Sequence, residues 1–195
     1  VRLIVRSRTM SEEILSRALE EASLYGHAAV VRMLVMAGPI KIVSIGTSLK
    51  DASRYGHKAV VRRLLSAKSA LPLETIIKSL GSAVKNGHAA IVTLILATEL
   101  IPESEIIHLI MVATIMNDED VVSRFLVNSS EDLRILRLPL TWAANHGYKE
   151  IVEILLNTKG ISKEVLNEAR EAATNGGNTE IVALVDAYTT SDSAL

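Results

Sequence analysis

There is no cysteine among the 195 residues. A chain without thiols has no disulfide framework and no thiolate chemistry, and it suits a reducing, cytoplasmic setting. Aromatic residues are almost as scarce: one Phe, one Trp and four Tyr cannot fill a large aromatic core. Four Pro and ten Gly are too few for a disordered linker. Long apolar runs are missing as well. The nearest, Ile106 to Met116, is interrupted by His108 and falls short of the ~20 residues that cross a bilayer, so no membrane association is expected. The first residues carry no secretory signal pattern. No Met opens the chain, and Val1-Arg2-Leu3-Ile4-Val5 matches Val31-Arg32-Met33-Leu34-Val35. The expectation is a piece of a longer protein that begins inside a truncated repeat.

What the chain has in quantity is small aliphatic residues in a recurring order. Gly-His-Ala-Ala-Val-Val at 26–31 returns as Gly-His-Lys-Ala-Val-Val at 56–61, as Gly-His-Ala-Ala-Ile-Val at 87–92 and as Gly-Tyr-Lys-Glu-Ile-Val at 147–152. One phase holds Ala22, Ala52, Ala83, Ala113 and Ala143; four residues on stand Gly26, Gly56, Gly87, Asn117 and Gly147. Three residues before the Ala come Leu19, Leu49, Leu80, Ile110 and Leu140. A sixth register, with Ala173, Gly177, Ile181 and Val182, looks looser, as though Asn175-Gly176-Gly177 held one residue too many. A fixed period of this size marks stacked units that each rest on their neighbours. Each unit reads as two helices. Ile14, Leu15, Ala18, Leu19 and Ala22 are three and four apart on the first, with Ser11 as its cap and Glu12 and Glu13 in its first turn. Glycine at the end of that helix supplies a positive φ. Val30, Val31, Leu34 and Val35 share one face of the second, which Gly38-Pro39 ends.

Charge is unevenly placed. Net charge is −1. Residues 1–98 carry 14 Lys plus Arg against 6 Asp plus Glu, and residues 99–195 carry 7 against 16. Such polarity can steer an acidic partner to the first half or favour weak head-to-tail self-association.

These registers resemble the ankyrin-repeat family, whose unit runs Thr-Pro-Leu-His, Ala-Ala, Gly-His, two β-branched residues and a Leu pair. The fifth unit is most similar, from Leu138-Pro139-Leu140-Thr141-Trp142-Ala143-Ala144 to Gly147, Ile151, Val152, Leu155 and Leu156. The Gly-His pair stands at Gly26-His27, Gly56-His57 and Gly87-His88. The resemblance covers residues 1–188, with 189–195 as a polar tail. It implies an all-α solenoid of helix–turn–helix repeats. The period of 30–31 residues and the short spacers, such as Lys68 to Leu73 and Glu99 to Pro102, leave little room for the family's β-hairpin fingers. First helices should start early instead, as over Glu103 to Met116.

No enzyme chemistry stands out. His27, His57 and His88 recur once per unit, and successive helices pack about 8–10 Å apart, too far for a shared zinc ion with bonds of about 2.1 Å. Each reads instead as a structural His bonded to the turn between its helices. There is no nucleophile elbow or phosphate-cradling loop. Asn117-Asp118-Glu119-Asp120 lacks the spacing of a calcium loop and reads as acidic residues entering a helix. Asn128-Ser129-Ser130 is a formal glycosylation triplet without a secretion signal. No cofactor is expected. The basic residues Arg2, Arg6, Arg8, Arg32, Arg54, Lys58, Arg62 and Arg63 could meet phosphates, but only Tyr25 and Tyr55 could stack on bases, so nucleic acid is disfavoured.

A binding module is the remaining class. By the family resemblance the first helices line the concave side. The outward positions there include Tyr25, Arg54, Tyr55, Lys85, Asn86, Val112, Ile115, Met116, Trp142 and His146, a mixture typical of recognition surfaces. The fourth unit's first helix, Ile106 to Met116, is apolar nearly all round, so it is either enclosed or carries an exposed patch. Val112, Ile115 and Met116 beside Trp142 are the expected contact for a protein or peptide. The alternative is a recognition module of a larger enzyme or a secreted bacterial effector acting in a host cytoplasm.

Overall fold

The computed structural model describes residues 11–66, 71–128, 133–158 and 160–192. Twelve α-helices follow one another in pairs, with no β-strand among the described residues. They are α1 (Glu12–Leu24), α2 (Ala28–Ala37), α3 (Ile42–Arg54), α4 (Lys58–Leu65), α5 (Leu73–Lys85), α6 (Ala89–Leu96), α7 (Glu103–Ile115), α8 (Glu119–Asn128), α9 (Arg137–His146), α10 (Lys149–Leu156), α11 (Lys163–Asn175) and α12 (Thr179–Asp192). A 3₁₀ turn over Leu133–Leu136 precedes α9. Val1 to Val5, Ser129 and Ser130 of the sequon, part of the Lys68 spacer and the last residues of the tail fall outside the described residues. Thr189 to Asp192, polar in sequence, are helical.

Local chemistry explains the boundaries. Ser11 caps α1 by accepting a bond from the Ile14 amide at 3.4 Å, and Ser162 caps α11 through the Val165 amide at 3.3 Å. Asp118 caps α8, its carboxylate accepting from the Val121 amide at 3.0 Å. Pro139 sits in the first turn of α9, where its missing N–H costs nothing. That helix begins late and has 10 residues, against 13 in α7. At the end of the first helices Gly26, Gly56, Gly87, Gly147 and Gly177 have φ between 69° and 79°. Asn117 fills the same place with φ 53°. The sixth register therefore holds no extra residue: Gly177 takes the turn four residues after Ala173, as in every other pair.

The helices form two compact units, one ending at Ile101 and one starting at Pro102. In the first, α1, α3 and α5 lie side by side as one layer, and α2, α4 and α6 form a second layer behind them. The second unit repeats this with α7, α9 and α11 in front and α8, α10 and α12 behind. Leu19, Leu49, Leu80, Leu34, Leu64 and Ile95 are buried between the layers of the first unit. Ile110, Leu140, Ala143, Phe125, Ile151 and Leu155 serve the second. Val30 alone of its register is half-buried. The register changes in the sixth pair. Arg170 stands where the other first helices have Leu or Ile, and it meets Asp186 of α12 at 2.7 Å.

The histidines tie neighbouring pairs together. His57 Nε2 donates to the carbonyl of Leu24 at 2.9 Å, and His88 Nε2 to that of Arg54 at 2.9 Å. The expected bond to a turn is there, but the turn is that of the preceding pair, not the histidine's own. Each ring covers the glycine of that turn: a Cβ on Gly26 would lie 2.6 Å from the His57 ring. In the sixth pair Asn178 replaces the imidazole, donating at 2.8 Å to Ala144 and at 2.8 Å to Asn145. It lies over Gly147 in the same manner.

Two further features concern stability. Ser16 Oγ accepts a bond from the Lys41 amide at 3.1 Å, fixing the start of α3 to α1. In contrast, the buried hydroxyls of Ser23, Ser48 and Ser53 have no hydrogen-bond partner among the described residues. Thr114, in the register of Ser23 and Ser53, bonds the Ile110 carbonyl at 2.9 Å, and Ala144 avoids the need altogether.

Two outcomes are expected in denaturant unfolding. Gly26→Ala and Gly177→Ala both place a Cβ at positive φ, at about 1 kcal/mol each. Nothing lies within 4 Å of the Gly177 position, so Gly26→Ala should cost about 1 kcal/mol more, through the displaced His57 bond. That surplus should vanish in a His57→Ala background. Ser23→Ala and Ser53→Ala should each stabilise by about 1 kcal/mol, since they remove a buried orphan hydroxyl.

Candidate protein-binding site

The core claims one stripe of each first helix, through the phased Ala and the Leu three residues before it. The residues at i, i+4 and i+8 on the opposite stripe are left outward. In the second unit that stripe reads His108, Val112, Met116 on α7 and Leu138, Trp142, His146 on α9. The two helices are neighbours in one layer, so equivalent positions stand side by side.

Most of the residues expected at an outward face are exposed: Tyr25, Arg54, Tyr55, Lys85, Asn86, Ile115, Met116, Trp142 and His146. Val112 is half-buried. The two groups lie in different units. In the first, the Arg54 guanidinium sits 5.6 Å from the centre of the Tyr55 ring, a cation–π distance. Tyr55 is also stacked toward His57 at 6.4 Å. Asn86 spends its amide on the Ser82 carbonyl at 2.8 Å.

In the second unit Ile115 and Met116 are 46% and 49% exposed, and Trp142 is 36% exposed. The near-continuous apolar character of α7 is thus resolved: Leu109, Ile110 and Ala113 are core, while Ile115 and Met116 remain open to solvent. The Trp142 ring stacks on His146 with centroids 4.1 Å apart and planes 18° from parallel. His146 Nδ1 lies 2.9 Å from the Trp142 carbonyl, and Tyr148 follows at 5.9 Å from the imidazole. The result is an aromatic ledge on α9, and Ile115 and Met116 stand exposed at the end of the neighbouring α7. Leu138, 64% exposed, extends this ledge and was missed from the sequence. Its position four residues before Trp142 was the available signal.

Electrostatics add orientation but no chemistry. Arg137 holds Glu168 through two bonds of 2.6 Å, joining α9 to α11, and the pairing raises the arginine pKa. Lys149 and Glu180 meet at 3.2 Å between α10 and α12. Among the described residues no group of three or more His, Asp or Glu is placed to hold a metal ion. No described helix is long and apolar enough to cross a membrane.

A family model described as ankyrin repeats, three copies, matches residues 80–167. That stretch, residues 80–167, is made of ankyrin repeats. The matched stretch runs from the middle of α5 into α11 and so includes the whole apolar ledge. Ankyrin repeats are generally protein–protein interaction modules and are typically not enzymes. No curated protein matches the chain.

Trp142 is the only tryptophan, which makes the ledge its own reporter. His146→Ala should remove the ring that shields one face of the indole. The expected outcome is a red-shifted emission and stronger quenching by acrylamide, with helicity by circular dichroism unchanged.

Proposed function

We propose that this chain is a non-enzymatic module that binds a protein or peptide on its first-helix face, the concave side in the family. Val112, Ile115, Met116 and Trp142 form the apolar anchor in this reading, with Leu138 at its edge. The observation that carries it is the exposure of Ile115 and Met116 at the end of α7 and of Trp142 on the neighbouring α9. Equivalent positions on the other first helices are mainly polar: Glu21, Asp51, Arg54, Ser82, Lys85 and Asn86. Buried aromatic and aliphatic anchors ringed by polar residues carry most of the energy of a protein interface.

The first unit supports the same reading. Tyr25, Arg54, Tyr55, Lys85 and Asn86 face outward there and form the first unit's own recognition surface in this reading. Tyrosine and arginine in such positions offer large contact area at low cost in rotamer entropy. The absence of cysteine fits a cytoplasmic setting for this binding.

The test is a pair of aspartates. Ile115→Asp with Met116→Asp should weaken capture of partners from cell extract by at least about 2 kcal/mol, while helicity and melting temperature stay as in the parent. An unchanged set and yield of captured proteins would overturn the anchor.

A further inference from the structure

The first unit carries a second surface feature, independent of the Ile115 ledge. Between the front helices α3 and α5 runs an open groove of about 250 Å³, lined by Ile42, Val43, Lys50, Pro72, Thr75 and Lys78. Gly46 sets its depth. A Cβ there would lie 2.8 Å from Thr75 Cγ2, so the glycine lets the two helices close up along the floor. Two chemistries meet on its walls. Ile42 and Val43, in the first turn of α3, are 45% and 75% exposed, and Pro72 at the start of α5 lines the groove with them. Lys50 projects from the other end of α3 and has no ion pair among the described residues. Lys78 is held by Glu74 at 2.6 Å, and that bond lowers the Glu74 pKa.

The surrounding charge decides what such a groove prefers. The two helices that form it, with Lys41 at the start of α3, carry five Lys plus Arg against Asp51 and Glu74, and Glu74 is already engaged. A cationic field of this kind favours anionic ligands and speeds their encounter. The walls are aliphatic, and no aromatic side chain is among their lining residues. That disfavours a nucleobase, which needs a stacking surface.

We propose that the α3–α5 groove docks a short acidic and aliphatic segment of a partner protein. An aliphatic side chain of that segment packs on Ile42, Val43 and Pro72, and its carboxylates face Lys50 and, by sharing with Glu74, Lys78. Neither half suffices alone. Exposed ion pairs contribute little by themselves, and the apolar area is small, so the groove selects for their combination.

The probe is a fluorescein-labelled synthetic peptide in which leucines alternate with aspartates and glutamates. Controls replace its acids with Asn and Gln, or with Lys. Fluorescence anisotropy should show saturable binding of the acidic peptide, weakening as ionic strength rises through about 0.15 M. Val43→Asp and Lys50→Glu should each reduce affinity roughly tenfold, and Lys50→Glu should improve binding of the lysine peptide. That gain keeps the test decisive even if one variant lowers stability. The Ile115→Asp, Met116→Asp protein should bind the acidic peptide like the parent, so the groove and the ledge fail or survive separately. Equal binding of the acidic and amide peptides would overturn the proposal. Displacement of the peptide by an oligothymidylate with the same Lys50 dependence would also overturn it, leaving a general polyanion site. A dimer in sedimentation velocity that Lys50→Glu dissociates, without peptide, would assign the groove to a second copy of the chain and overturn it likewise.

Discussion

One hydrogen bond, recurring between neighbouring pairs within each unit, ties those pairs in register. A helix ends with carbonyls that have no partner inside it. Here the ring of the next pair's histidine reaches back to one of them, from His57 to Leu24 and from His88 to Arg54, each at 2.9 Å. The glycine between them contributes in two ways. Its positive φ turns the chain out of the helix, and its missing side chain gives the imidazole room. Asn178 performs the same service for the fifth pair with an amide in place of a ring. The bond is individually modest, but it sets the height at which Leu, Ala and Val of successive pairs meet. The apolar layers then supply the bulk of the stability.

A stack built this way commits its inward residues and leaves its front stripe free to vary. The chain uses that freedom differently in its two units. In the first, the front stripe and its flanks are basic and polar, with Arg54 laid over Tyr55. In the second it becomes an apolar ledge, stiffened by the Trp142–His146 stack.

Much of the fold could be read from the sequence because the repeat reports the same answer several times. The phased Ala and Leu positions proved to be core, first helices other than α9 began early, and no strand formed in the described residues. Errors arose where a single sequence conceals its neighbours. The histidine bond was expected within its own turn, because a linear reading cannot show which carbonyl lies one repeat away. The sixth unit looked one residue too long because Gly176 distracts from Gly177, whose φ of 72° marks the true turn. At the site, residue-by-residue outwardness was legible from helical phase. Leu138 was passed over because it precedes the repeat's strongest motif. The orphan hydroxyls of Ser23 and Ser53 were invisible, since serine in a helix reads equally well as exposed.

The ion pair between Arg170 and Asp186 has an effect beyond its own helices. Leu or Ile of a first helix and Val or Leu of a second occupy those registers in the preceding pairs, pressed against what comes next. Exchanging them for opposite charges, about half exposed, makes the sixth module non-interchangeable with the others. Transplanted to an interior slot, it would lose the water that tolerates its charges, and the loss would exceed what their attraction returns. Segments that look like copies therefore have an order written into them, and shuffling them would not yield equivalent proteins.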